Sequence, residues 1–322
     1  MSANAAPPDE RVDRHLLRIA FILVLGTFMA TLDATIVSVG IDRLTHEFDV
    51  SVAEIQWVTT AYLLAVVAAV PAFGWLADRF GGRRTWLAAV GVFLLGSVLC
   101  ASAWSVTSFI VFRVIQGLGG GLLPATGQAL LARVAGPGRT GRVISVVPLL
   151  SPVFGPVAGG SVLSVAPWPW LFLVNLPIGV VAALLARRYV PAIPPPNRRT
   201  PFDLRGALLL SPGLAVLVFG LTEVAHDRTV PATAGVSVGL AMLAAFTVHG
   251  LRTRGTPLVD PRLFARPPFG TAALAVVLQN RLSAHGPDVS AAFGDTFWWV
   301  LGFCLFAAAG ATRLPRTRAG GT

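Results

Sequence analysis

The chain has 322 residues, 54% hydrophobic and only 12% charged, with a mean hydropathy of +0.72. Soluble domains carry roughly 25% charged residues, and apolar runs of about 20 residues, enough to cross a bilayer as a helix, recur along this sequence, so a soluble domain is excluded. The formal charge of +10 does not signal nucleic acid, because the basic residues, all of them Arg, lie between the apolar runs and form no basic face.

Residues 1–14 are polar and predicted to be disordered. The apolar run after Arg11, Arg14 and Arg18 exceeds signal-peptide length, so it reads as an uncleaved first helix over about 17–40, interrupted by Asp33. A polar segment, 41–54, leads to a second helix at about 55–75. The stretch Gly74 to Arg84 (GWLADRFGGRR) reads as a charged loop before a third helix at about 85–104. A fourth covers about 106–132 and contains Arg113. A fifth, about 143–165, is rich in Pro and Gly, and a tight turn at 166–169 precedes a sixth at about 170–187. The proline cluster within 187–205 makes an extended, semi-rigid linker. Helices at about 206–224 and 232–250 follow, then an Arg-bearing loop at 251–268. The segment 269–282 is short: ten helical residues rise about 15 Å against a hydrocarbon core of about 30 Å. It spans only if Arg281 snorkels and the helix starts as early as Leu263. A last helix is predicted at about 296–312.

With a cytoplasmic N-terminus, Arg43, Arg228 and Arg281 fall outside, Arg113 falls within the membrane, and the remaining 21 of 25 basic residues fall inside. By the positive-inside rule both termini are cytoplasmic and the helix count is even, about ten. Trp57, Trp168, Trp170, Trp298 and Trp299 lie at predicted helix ends, as an interfacial aromatic belt would place them.

Ionisable residues inside a bilayer are costly and become functional candidates. Asp33 and Arg113 each lie about seven residues from the outer end of their helix, roughly 10 Å below the surface at 1.5 Å per residue. Opposite charges at equal depth can pair and offset each other's desolvation. Two readings fit: a carboxylate that takes up and releases protons beside an Arg, or a purely structural ion pair. Gln116 lies one turn below Arg113, and Gly117, Gly119, Gly120 and Gly121 follow, small residues that let another helix approach closely. Gly155, Gly159 and Gly160, with Pro148, Pro152 and Pro156, make the fifth helix bendable. Glu223, near the outer end of the seventh helix, reads as a carboxylate at a loop edge in preference to a proton site. Cys100 and Cys304 read as small buried hydrophobes. The five His make no metal-binding spacing, no phosphate-binding loop of the ATPase type is present, and no nucleophile, base and orienter set occurs. The expectation is a non-enzyme without cofactor or metal.

These stretches together resemble one family. GWLADRFGGRR resembles the signature loop between helices two and three of the major facilitator superfamily. FRVIQGLGGGLLPA resembles its Arg-bearing fourth-helix motif, and SPVFGPVAGG its fifth-helix antiporter motif. TLDATIVSVGIDRL and WPWLFLVNLPIG are similar to the first- and sixth-helix motifs of the fourteen-helix drug:proton antiporters of the EmrB/QacA type. The resemblance implies an all-α polytopic membrane protein of that fold. It implies that Asp33 is the acid linked to proton coupling and that Arg113 sets its protonation. Gln116 and Gly117 belong to the same fourth-helix motif. Gly155, Pro156, Gly159 and Gly160 would form the antiporter kink. Gly74, Asp78, Arg79, Gly81, Arg83 and Arg84 would form a cytoplasmic gating loop. The implied partners are protons, the lipid bilayer and hydrophobic or cationic drugs, exported across a bacterial cytoplasmic membrane.

Against that pattern, Pro169 stands where the family usually has Arg, and Gly40 and Asp42 stand where Ala and Pro are usual. The larger departure is length. The expected layout is a tail (1–16), a six-helix lobe (17–187), a linker (188–205), a central helix pair (206–250) and a shortened second lobe (251–322) of about two helices, joined near Pro268 to Gly270. Two functional expectations follow. One is a proton-coupled exporter working by alternating access, alone or as a homodimer. The other is an inactive truncated relic or gene-model fragment, or a membrane partner subunit that does not itself transport.

Overall fold

Helix lengths follow the apolar runs, and proline and glycine set the breaks between them. The computed structural model describes residues 14–135, 159–195, 201–225, 229–253 and 257–259. Within them lie α1 (Arg14–Val39), α2 (Ile41–Phe48), α3 (Val52–Ala69), α4 (Ala72–Phe80), α5 (Gly82–Ala101) and α6 (Val106–Ala135). A helical segment at 159–165 follows, then α7 (Trp170–Leu173), α8 (Asn175–Tyr189), α9 (Leu204–Ala225) and α10 (Thr229–Arg252). No strand occurs among the described residues. Among the described residues seven spans are long and apolar enough to cross a membrane: α1, α3, α5, Val106–Val134, Trp170–Tyr189, Leu204–Leu221 and α10. Gly155, Pro156, the segment 269–282, the last predicted helix, Trp298, Trp299 and Cys304 lie outside the described residues.

Several expectations need correction. Helix α1 runs unbroken through Asp33. The polar segment after it forms a helix of its own, α2, whose one buried side chain is Leu44, closed by Asp49 in the left-handed conformation (φ 50°). Ser51 and Glu54 then form a capping box at the start of α3. The break between α3 and α4 falls at Val70–Pro71, because Pro71 has no N–H to give the Val67 carbonyl. Likewise Pro177 gives nothing to the Leu173 carbonyl, and the sixth spanning run divides into α7 and α8 at Val174. Asp203 caps α9, its Oδ1 accepting from the Gly206 N–H at 2.9 Å.

The stretch Gly74 to Arg84 is also mostly helical, occupying the end of α4 and the first turn of α5. Its turn is one residue, Gly81, at φ 84° and ψ 145°. That backbone region is open essentially to glycine alone. A methyl group there would also fall 3.1 Å from the Ile193 carbonyl oxygen. Gly81→Ala is therefore expected to cost about 1–3 kcal/mol, read as a lower unfolding midpoint in detergent. Gly74→Ala is the control, since nothing lies within 4 Å of that position. An unchanged midpoint for Gly81→Ala would contradict the account.

The chain divides into compact units at Met1–Phe246 and Thr247–Thr322. In the first, α6 is the hub, packed along α5, α3 and α1, while α8 lies against α1 and α5. One apolar cluster gathers Ile19, Leu23, Met29, Trp86 and Phe93. A second gathers Ile36, Leu44, Phe109, Trp168 and Phe172. Trp168 therefore does not sit in an outer belt. It is 6% exposed, with its ring 5.4 Å from Phe48 and 5.6 Å from Phe109. Trp57 and Trp170 do remain exposed, Trp57 stacking on Phe219 of α9 at 5.7 Å. Glu223 is largely buried rather than open at a loop edge.

Candidate functional site

Four spanning segments contribute one or two polar side chains each to a cluster built around a single carboxylate. Asp33 (α1), Ser97 (α5), Arg113 and Gln116 (α6) and Asn175 (the first residue of α8) are all fully buried. The Asp33 Oδ2 takes Arg113 Nη1 at 2.5 Å. Its Oδ1 accepts from Gln116 Nε2 at 2.9 Å and from Asn175 Nδ2 at 2.8 Å. Gln116 Nε2 also donates to Ser97 Oγ at 2.8 Å, and Asn175 Nδ2 lies 3.5 Å from the same hydroxyl.

Arg113 is held through its Nε, its Nη1 and the face of its guanidinium. Its Nε donates to the Val58 carbonyl of α3 at 3.2 Å and its Nη1 to Gln116 Oε1 at 2.7 Å. The guanidinium carbon sits 4.0 Å over the Tyr62 ring, an attraction that strengthens when water is excluded. The Tyr62 hydroxyl donates to the Ala30 carbonyl at 3.1 Å, fixing that ring against α1. Cys100 points its thiol at Gln116 Oε1, 3.5 Å away. Within this cluster two buried atoms have no partner among the described residues: Arg113 Nη2 and Asn175 Oδ1.

Glycines allow this assembly. A methyl group on Gly96 would fall 2.5 Å from the Gln116 Cα, and one on Gly117 would fall 2.6 Å from the Tyr62 carbonyl oxygen. One on Gly119 would fall 2.6 Å from the Phe93 nitrogen. So α6 is pressed against α5 on one side and α3 on the other, which brings Gln116 to Ser97 and Arg113 to Val58. An Asp–Arg contact this deep is stable only when the other lone pairs and protons are also matched.

The other sequence candidates lie elsewhere. Asp78 pairs with Arg133 at 3.8 Å, both about half exposed, a geometry worth little energy by itself. Arg79 lies over Trp75 at 5.4 Å. Arg83 Nη1 donates to the Val190 carbonyl at 3.1 Å, tying the corner to the start of the linker, while Arg84 is exposed. Gly159 packs on α1, where a methyl group would meet Ile36 Cγ1 at 3.0 Å, whereas Gly160 faces open space. Asn175, Ser97 and Tyr62 were not among the sequence candidates. Asn175 carried a signal, as a lone amide inside the sixth apolar run. Ser97 and Tyr62 carried none, since single hydroxyls are common in membrane helices.

Residues 23–315 match the family model of the Major Facilitator Superfamily. The chain belongs to the major facilitator superfamily. It is 44% identical over 271 residues to a multidrug resistance protein B homolog of Mycobacterium tuberculosis, covering 82% of this chain and 49% of that protein. It is 33% identical over 259 residues to the putative multidrug resistance protein MdtD of Salmonella paratyphi B, covering 79% and 54%. The chain thus spans about half the length of these two relatives. Among solved structures, a superfamily proton:xylose symporter bound to 6-bromo-6-deoxy-D-glucose superimposes with a TM-score of 0.52 at 14% identity, covering 94% of this chain and 70% of that one. That likeness concerns the fold alone. The expected fold class is met: an integral membrane protein, predominantly helical and without strands in its described part, of a superfamily of transporters.

Proposed function

We propose that the chain exports hydrophobic or cationic small molecules in exchange for protons, by alternating access across the bacterial cytoplasmic membrane. The observation that carries this reading is the fully buried Asp33, in contact with Arg113 and with two amides. A carboxylate at membrane depth is expensive, and such groups serve as proton relays in pumps and transporters. Asp33 is the proton carrier in this reading, and Arg113 the counter-charge that favours proton release. The names of the relatives support drug-like cargo. In this reading the corner at Gly74, Asp78, Arg79, Gly81, Arg83 and Arg84 acts as the cytoplasmic gate. Gly159 and Gly160, with Gly155 and Pro156, form the bend of the fifth helix. The Arg distribution supports cytoplasmic termini. The layout is a six-helix lobe (17–187), a helix pair (206–250) and a shortened second lobe (251–322), with two copies able to complete the pathway.

Efflux of ethidium from cells expressing the full chain tests this. The expected result is efflux that stops with a protonophore and in Asp33→Asn. A second reading, an inactive truncated transporter, is favoured by the half-length match to the relatives. Absence of efflux despite normal membrane insertion would decide for it.

A further inference from the structure

Asp33 takes up its proton at a carboxyl whose neighbours differ in what they can do. A carboxylate only accepts hydrogen bonds, whereas a carboxylic acid also donates one. Arg113 is donor-only and cannot adapt to that change. Gln116, Asn175 and Ser97 each carry both a donor and an acceptor, so they can reverse polarity by rotating. Gln116 has both ends engaged: Nε2 with Asp33 and Ser97, Oε1 with Arg113 and Cys100. Asn175 does not. Its Nδ2 donates to Asp33 Oδ1 at 2.8 Å while its Oδ1 is buried with no partner among the described residues. Its position in the fold also matters. It begins α8 at the point where Pro177 divides the sixth spanning run. One turn earlier in that run, Phe172 lies 5.7 Å from the Arg113 guanidinium. The α7–α8 break therefore touches both halves of the ion pair.

We propose that Asn175 is a positioning residue that reads the protonation of Asp33: its amide donates to the carboxylate, turns to accept from the acid, and so passes the change to the break between α7 and α8. This rests on the proton-coupling reading above. The other groups within electrostatic reach of Asp33 that carry or can carry charge, among the described residues, are Arg113 from α6, Tyr62 from α3 and Cys100 from α5. None of them presents a free acceptor on an uncharged, rotatable amide.

The test is infrared difference spectroscopy of the full chain in lipid bilayers as pH is stepped from neutral to acid. The Asp33 acid carbonyl band is assigned by its shift in Asp33→Glu. The Asn175 side-chain band is assigned by asparagine isotope labelling and by its loss in Asn175→Ser. The expected result is that the Asn175 band shifts in step with the appearance of the Asp33 band. If the Asp33 band appears while the Asn175 band stays fixed, the inference is overturned and proton coupling survives. If no Asp33 band appears at any pH, proton coupling itself falls, and the inference with it. Both readouts are taken on the native sequence, and aspartate and asparagine isotope labels keep the bands identifiable if a variant fails to fold.

Discussion

Asp33→Leu is expected to destabilise the protein more than Arg113→Leu, although each removes half of one ion pair. Breaking a buried pair costs about 3–5 kcal/mol, because an uncompensated charge stays behind. The cost depends on what that charge can then do. Arg113 cannot shed its proton under ordinary conditions, so in Asp33→Leu it stays charged. It keeps the Val58 carbonyl, Gln116 Oε1 and the ring faces of Tyr62 and Phe172. In Arg113→Leu, Asp33 keeps the donors of Gln116 and Asn175 and can neutralise itself by binding a proton. Its loss should stay near about 1–3 kcal/mol, the cost of disrupted hydrogen bonding. Asp33→Asn should cost less than Asp33→Leu, since the amide oxygen still accepts from Arg113. Thermal unfolding in detergent measures all three. Equal midpoints for Asp33→Leu and Arg113→Leu would show that the charge left behind does not set the penalty.

Gly117→Ala and Gly121→Ala are expected to lower stability, although alanine is the better helix former by roughly 1 kcal/mol. The sign is decided by what the methyl group meets. At Gly117 it falls 2.6 Å from the Tyr62 carbonyl oxygen and 2.8 Å from the Ala65 Cβ, and at Gly121 it meets the Val66 backbone. Backbone cannot rotate away, so α3 must move off α6. Overpacking of this kind costs about 1–3 kcal/mol. The displacement also pulls Val58 and Tyr62 away from Arg113, coupling the packing defect to the buried pair. Gly91 supplies the contrast: nothing lies within 4 Å of it, so Gly91→Ala should be neutral or stabilising by about 0.5–1 kcal/mol. A stabilised Gly117→Ala would mean that the helices are looser than this crossing implies.

The two predictions show where the sequence was informative. Gly117 and Gly121 could be recognised as a close-approach face, because spacing by four residues puts them on one side of a helix. What they approach could not be recognised, since α3 lies more than fifty residues away in the chain. Gly91 and Gly96 look alike in sequence, and only the packing separates the free position from the one against Gln116. Trp168 was misplaced for a related reason. A tryptophan at a helix end suits a lipid interface, but a cluster of Phe48, Phe109 and Phe172 buries it more completely. The stretch Gly74 to Arg84 read as a loop because its charges and glycines outweighed its periodicity. A single glycine in a left-handed conformation makes the turn, and the residues on either side stay helical.

The sequence by itself determined the membrane-spanning runs and the common depth of Asp33 and Arg113, but not the breaks at Pro71 and Pro177. Hydropathy reports length, and a rise of 1.5 Å per residue converts length into depth. It reports nothing about azimuth. Which faces meet depends on which helices cross, and the bonds to Asp33 link residues 80, 83 and 142 positions apart. Only the tertiary structure therefore decided that Arg113 reaches Asp33, that Gln116 and Ser97 complete the shell, and that Asn175 belongs to it with one acceptor unused.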